Sequence, residues 1–201
     1  MNIWDFWAKR YNKLWVQRYS LTPTRDYLLK VIDIDRPLKI LDLGCGPGEL
    51  IEELLKKNGN LDITGLDFSK GMLNESIIKN PKAKHIQMDV ADLHNLDDKF
   101  DIIISTHSLP YWKNSKKVMK DLSTILAYDG RLYIGFASGN NFTDKLALFF
   151  VKFTTGPANY PSDNGFRELV NPYFSIKDLK IIKEKKFMPR IAVYTLGRLK
   201  S

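Results

Sequence analysis

The sequence predicts an α/β fold: one doubly wound, seven-stranded and mostly parallel sheet with helices on both faces, a helical cap at the N-terminus and an antiparallel last strand. Three observations carry the prediction. Short apolar runs alternate along the chain with segments of helical period. The first run ends in Gly44-Cys45-Gly46-Pro47-Gly48, where such folds turn from strand to helix and take their ligand. The fourth run, Phe100–Ile104, is apolar on both faces, as a strand covered by helices from both sides must be.

The elements follow in order. Residues 2–18 have a helical period, and a second helix runs through Ile32 with Thr22 as its cap and Pro23 in its first turn. Residues 1–34 thus form a helical cap before the first strand, Leu38–Leu43. The next helix places Leu50, Ile51, Leu54 and Leu55 on one face. Asp62–Leu66 is the second strand, after which Ser69 caps a helix presenting Met72, Leu73, Ile77 and Ile78. Lys84–Met88 is the third strand. Beyond Phe100–Ile104, Asn114 or Ser115 caps a helix to Ala127, and Asp129-Gly130 turns the chain into a fifth strand, Arg131–Ala137. Residues 138–165 break the alternation with an aromatic-rich helix (Phe142, Phe149, Phe150, Phe153) and a turn from Gly156 to Pro161, an insertion over the ligand face. A short helix near Phe166–Val170 precedes two strands, Ile176–Lys185 and Ile191–Leu199, joined through Pro189 as an antiparallel pair.

Composition narrows the function classes. A chain of 201 residues fits one domain over residues 1–201, and 44 % hydrophobic with 27 % charged residues excludes disordered and collagen-like classes. The longest apolar run, Leu146–Val151, has six residues, far short of the ~20 that cross a bilayer. The N-terminus carries Asp5 and lacks the basic-then-apolar order of a secretory signal, so a cytoplasmic location is expected. Cys45 has no disulfide partner, and with His85, His94 and His107 it shows no paired metal-ligand spacing, so no metal is expected. Of the net charge of +8, +6 falls within residues 176–201, where six Lys and two Arg stand against Asp178 and Glu184. Lysines alternating with apolar residues suit the solvated face of an edge strand, and a nucleic-acid enzyme would use them as its phosphate surface.

The glycine cluster carries the most chemistry. Gly44, Gly46 and Gly48 admit a ligand closer than any side chain would. Compared with the dinucleotide pattern G-x-G-x-x-G, the third glycine comes one residue early, and Asp42 and Glu49 flank the place of a pyrophosphate. A ligand with a cationic portion fits better. Asp67 follows Gly48 by nineteen residues at the end of the second strand. It either accepts from two ribose hydroxyls or caps the helix that begins at Ser69. Asp89-Val90 closes the third strand with a carboxylate for an adenine amino group and a side chain for its ring.

Five segments in order, Leu41-Asp-Leu-Gly-Cys-Gly-Pro-Gly48, Gly65-Leu-Asp-Phe-Ser-Lys-Gly-Met72, Gln87-Met-Asp-Val-Ala-Asp-Leu93, Phe100-Asp-Ile-Ile-Ile-Ser105 and Leu126-Ala-Tyr-Asp-Gly-Arg-Leu132, resemble the class I S-adenosylmethionine-dependent methyltransferases. The closest flavour is the small-molecule branch with the ubiquinone and menaquinone biosynthesis enzymes, and the resemblance covers residues 38–137. It implies strand order 3-2-1-4-5-7-6 and S-adenosylmethionine as cofactor, with S-adenosylhomocysteine as product. Asp42 then flanks the cofactor loop beside Gly48, while Gly44, Cys45 and Gly46 line the methionine portion. Asp67 holds the ribose, Phe68 and Met72 sandwich the adenine, Asp89 and Val90 meet its amino edge, and Ser105 and Thr106 lie under the sulfonium. Leu126-Ala-Tyr-Asp-Gly stands where the family usually has a Leu-Lys-Pro-Gly-Gly type of turn.

The expected reaction is methyl transfer to a small-molecule acceptor, in which alignment does much of the work. His107 is the best placed general base, with Tyr111 close behind. Ser108-Leu-Pro-Tyr111 is similar to the [DNS]-P-P-[YFW] element of amino-group methyltransferases, with Leu109 in place of the first proline. Trp4, Trp7, Tyr11 and Trp15 share one arc of the first helix, either as core or as a lid. In the lid arrangement Trp7, Tyr11, Trp15 and Tyr19 join His107 and Phe149 around the acceptor, and Tyr11 or Tyr19 brings a hydroxyl to the methyl group. An RNA methyltransferase using the basic C-terminal strands and a non-catalytic cofactor-binding module are the alternatives.

Overall fold

Strands β1 (Lys39–Leu43), β2 (Asp62–Asp67), β3 (Lys84–Gln87), β4 (Phe100–Thr106), β5 (Leu126–Ala137), β6 (Phe174–Ile182) and β7 (Ile191–Arg198) form one sheet in the order β3-β2-β1-β4-β5-β7-β6. This computed structural model describes residues 3–8, 20–141, 144–146, 148–149, 157–185 and 188–199. The first five strands run parallel and β7 pairs antiparallel with both β5 and β6. Order and direction agree with the expectation.

Alternation builds two cores, one on each face. Leu41, Leu43, Ile103, Leu132, Ile134 and Phe136 pack toward α5 (Ser115–Ile125) and the helix Asp163–Val170, here α6. Their neighbours Ile40, Ile102, Ile104 and Tyr133 pack toward α2 (Thr22–Val31) and α3 (Glu49–Lys57). Strands buried on both faces place all their ligand-facing groups at their ends, here the carboxyl ends of β1, β2 and β4.

Local chemistry sets the boundaries of the elements. Ser69 Oγ accepts from Met72 N at 3.2 Å and starts α4 (Lys70–Lys79). Asn114 Oδ1 accepts from Lys117 N at 3.2 Å and starts α5. Four expectations need correction. Thr22 does not cap α2; the cap position is Leu21, and Thr22 Oγ1 accepts from Arg25 instead. On α4 the inward residues are Met72, Leu73 and Ser76, whereas Ile77 and Ile78 are exposed. Asp129-Gly130 lies inside β5, which begins at Leu126, because the strand continues through an irregularity in its pairing with β4. β6 begins at Phe174 and ends at Ile182, three residues before Lys185.

The segment after β5 is anchored at its ends. Ser138 Oγ and Asn140 Nδ2 donate to Asp163 Oδ1 at 2.7 and 3.0 Å, and Arg190 pairs with the same carboxylate. Asn159 N donates to Pro110 O at 2.7 Å, which brings the segment's far end against the loop after β4.

Candidate functional site

A cavity of about 230 Å³ opens at the carboxyl ends of these strands. Its floor is the glycine loop between β1 and α3, where Gly44, Gly46 and Gly48 all have positive φ. A Cβ on Gly44 would come within 2.6 Å of Ser108 Cβ. A Cβ on Gly48 would strike Ser76 Oγ at 2.3 Å and Asn80 Nδ2 at 2.5 Å, and Asn80 Nδ2 donates to Gly48 O at 2.9 Å. The inner face of α4 therefore carries polar residues that hold up the loop. Ser76 Oγ also lies 2.9 Å from His85 Nε2.

Asp67, at the end of β2, joins the loop to α4. Its Oδ2 accepts from Gly46 N and its Oδ1 from Ser69 N, both at 2.9 Å. The carboxylate thus ties down the start of α4 and also lines the cavity. Burial raises its pKa and the backbone N–H donors oppose that rise. Phe68, Met72 and Val90 line the same end of the cavity, Phe68 as an exposed ring and Met72 as a buried side chain. Asp89 Oδ1 accepts from Ala91 N at 3.0 Å, which fixes the turn after β3.

Behind the loop sits Asp42, only 2 % exposed. Burial, then the charges of Asp67 and Glu49, push its carboxyl up to about 7 against the opposing pull of Arg25. Asp42, Cys45 and Gly48 do not line the cavity. Cys45 packs in the core, its Sγ 3.0 Å from where a Cβ on Gly65 would stand, and burial holds its thiol well above the ordinary range.

The other end of the cavity is aromatic. Trp4 of α1 (Ile3–Trp7) meets the Tyr111 ring edge-on at 5.0 Å, and Tyr111 Oη lies 3.4 Å from Tyr160 Oη. Asp5 Oδ1 accepts from Ser69 Oγ at 2.6 Å and from Gly71 N at 2.9 Å, placing a carboxylate at the positive end of α4. α1 therefore reaches from α4 to the loop after β4 across the mouth of the cavity.

His107 follows β4 directly, at φ 59°, and its N–H donates to Gly135 O at 2.7 Å. Thr24 Oγ1 donates to Ser20 O at 2.7 Å and lies 3.2 Å from His107 Nε2. A hydroxyl whose proton goes to Ser20 can only accept from the ring, so the proton sits on Nε2. Burial and the nearby Arg25 charge push this imidazole down to about 4 despite a bond to the Ser20 backbone.

Thr106 lines the cavity, whereas Ser105 is buried beneath it with its Oγ 2.6 Å from Ser108 Oγ. Ser108 Oγ also donates to Leu43 O at 3.2 Å and accepts from Trp112 Nε1 at 3.1 Å, which uses all its bonding capacity. Phe149 is 55 % exposed and is not among the residues lining the cavity. Trp7 falls within α1, while Tyr11, Trp15 and Tyr19 lie outside the described residues. Leu66, Met88, Trp112 and Lys113 line the cavity without having been picked out from the sequence. No group of His, Cys, Asp and Glu among the described residues is arranged to hold a metal. No described helix is long and apolar enough to cross a membrane.

Residues 41–134 match a family described as a methyltransferase domain. The chain is 31 % identical over 160 residues to demethylmenaquinone methyltransferase of Thermotoga maritima, a match covering 76 % of this chain and 69 % of that enzyme. It is 33 % identical over 134 residues to trans-aconitate 2-methyltransferase of Methylobacterium nodulans, covering 67 % of this chain and 50 % of that one. The chain spans about half the length of several curated relatives that it matches. Among solved structures, the methyltransferase in a complex with the Trm112 activator of Haloferax volcanii superposes with a TM-score of 0.83 at 15 % identity, covering 100 % of this chain and 99 % of that one.

Proposed function

The chain belongs to the class I S-adenosylmethionine-dependent methyltransferases, and from that premise we propose that it moves a methyl group to a small acceptor held at the aromatic end of its cavity. When bound, S-adenosylmethionine supplies a methyl carbon on a cationic sulfur. The fit rests on this chain's own groups. Gly44 and Gly46 leave room for the methionine portion, and the buried carboxyls of Asp42 and Asp67 suit its positive charges. Asp67 would take the ribose hydroxyls, with Phe68, Met72 and Val90 around the adenine and Asp89 at its edge. Thr106 and His107 would lie nearest the methyl group, and Trp4, Tyr111 and Trp112 would exclude water and orient the acceptor. His107, neutral at physiological pH, suits a positioning role better than a proton-accepting one.

The observation that carries this reading is Asp67, fixed by Gly46 N and Ser69 N where the glycine loop meets the cavity. Calorimetry with S-adenosylhomocysteine tests it. Wild-type protein should bind, and Asp67→Ala should lose about 10- to 100-fold in affinity; unchanged affinity in the variant would remove Asp67 from the ribose site. The basic strand β6 lies at the opposite edge of the sheet from β3, which favours a small acceptor over an RNA held by these lysines.

A further inference from the structure

We propose that the acceptor is a small carboxylic acid with an apolar body, drawn in by the Lys113 ammonium, and that transfer forms a methyl ester. This rests on the methyltransferase reading above and narrows its substrate class. The inference comes from the distribution of charge around the cavity. Among the described lining residues the acids are Asp67 and Asp89, at the ends of β2 and β3, and both already receive backbone N–H groups, Asp67 from Gly46 and Ser69 and Asp89 from Ala91. The opposite wall is Trp4, His107, Tyr111, Trp112 and Lys113. Lys113 is exposed and has no hydrogen-bond or ion-pair partner among the described residues. A cationic amine would find no counter-charge on this wall. An anion would find an ammonium beside aromatic surface.

Proton accounting points the same way. A phenol or an ammonium acceptor must give up a proton, and the imidazole at this end, facing Arg25, Thr24 and the Ser20 backbone, is held near 4. A carboxylate arrives without that proton. Its oxygen bonds the methyl carbon as the carbon–sulfur bond breaks, the electron pair stays on sulfur, and the products are a neutral ester and a neutral thioether.

The test uses three probes with one phenylpropyl body: 3-phenylpropanoate, 3-phenylpropylamine and 4-propylphenol, each with saturating methyl-tritiated S-adenosylmethionine. Mild base releases label from a methyl ester as volatile methanol and leaves amine and ether label in place. The expected result is base-labile label from the phenylpropanoate alone, with kcat flat from about pH 5.5 to 8.5. In Lys113→Met, KM for that probe should rise about 10-fold with kcat nearly unchanged. Base-stable label in the amine or the phenol, label in none of the three, or an unchanged KM in Lys113→Met each overturns the inference. S-adenosylhomocysteine calorimetry on the same preparations separates the two failures. Cofactor binding with the wrong acceptor pattern overturns the carboxylate alone; no binding overturns the methyltransferase reading beneath it.

Discussion

Ser108 occupies the space that any side chain on Gly44 would need, its Cβ lying 2.6 Å from where a Cβ would stand. The loop after β4 thereby closes onto the loop after β1, and Ser108 Oγ seals the contact through Leu43 O. Gly44→Ala combines this clash with φ 75°. We expect a loss of stability of ~1–3 kcal/mol and a fall in cofactor affinity of at least about 10-fold. Thermal melts and calorimetry on the same preparation read the two effects separately.

Asp42 makes both stability and binding depend on pH. Its folded-state pKa of about 7 lies above an ordinary carboxyl near ~3.9. The contribution of this group to stability is therefore full below about pH 4 and lost as pH rises to about 7. Asp42→Asn, which cannot ionise, should gain on wild type between pH 5 and 8 by ~4 kcal/mol at most. A positively charged ligand favours the ionised carboxyl, so cofactor affinity should rise with pH through this range. Calorimetry in two buffers of different ionisation heat should record proton release on binding at about pH 6.5.

Catalysis by His107 as a base would require a loss of ~10²–10⁴ in turnover for His107→Ala. With the imidazole held near 4 and its Nε2 proton directed at Thr24, we expect a smaller fall, below about 10². The pH profile should then be the same in wild type and variant between about pH 5.5 and 7.5. A profile that loses an acid limb only in the variant would restore the base.

The N-terminal helix should close the site through Asp5 and Trp4. Asp5→Ala removes the acceptor from Ser69 Oγ and Gly71 N, at a cost of ~1–3 kcal/mol in helix docking. Amides of residues 3–8 should exchange faster in this variant, and adding S-adenosylhomocysteine should protect them in wild type. Trp4→Ala should weaken acceptor binding more than cofactor binding, since Trp4 rests on Tyr111. Exchange indifferent to both ligand and mutation would make α1 simple packing.

The sheet was readable because β1 and β4 are short and mostly apolar, and the glycine cluster marks where the first strand ends. α4 misled for a physical reason. Ser76 and Asn80 turn inward to brace the loop at Gly48, so Ile77 and Ile78 turn out to solvent, contrary to what hydrophobic periodicity assumes. β5 misled similarly: Asp129-Gly130 has the composition of a turn, yet Gly130 lies within the strand, where a Cβ would meet Leu126 Cδ1 at 2.8 Å and Asp101 O at 3.0 Å. At the site, the places of Asp67 and Asp89 at the ends of β2 and β3 were readable because each carboxylate accepts from a backbone N–H two residues on. The contacts of Asp5 with Ser69, Thr24 with His107 and Ser108 with Gly44 join residues 64 or more apart. No local pattern announces such pairs. Cys45, a small packing residue within the loop motif, has its side chain in the core.

The position of β7 bears on how the chain survives its own synthesis. β7 pairs with β5 on one side and β6 on the other, and among the described residues β6 has no second strand partner. β6 leaves the ribosome before the strand that must receive it. In that interval β5 presents an open edge beside the apolar face of Leu132, Ile134 and Phe136, and Phe174 waits on β6 without its neighbours. A chain arrested before residue 191 therefore carries two unpaired strands with sticky faces, a template for aggregation. Among the described strands β7, well away from the glycine loop, is the one whose arrival covers both of those edges.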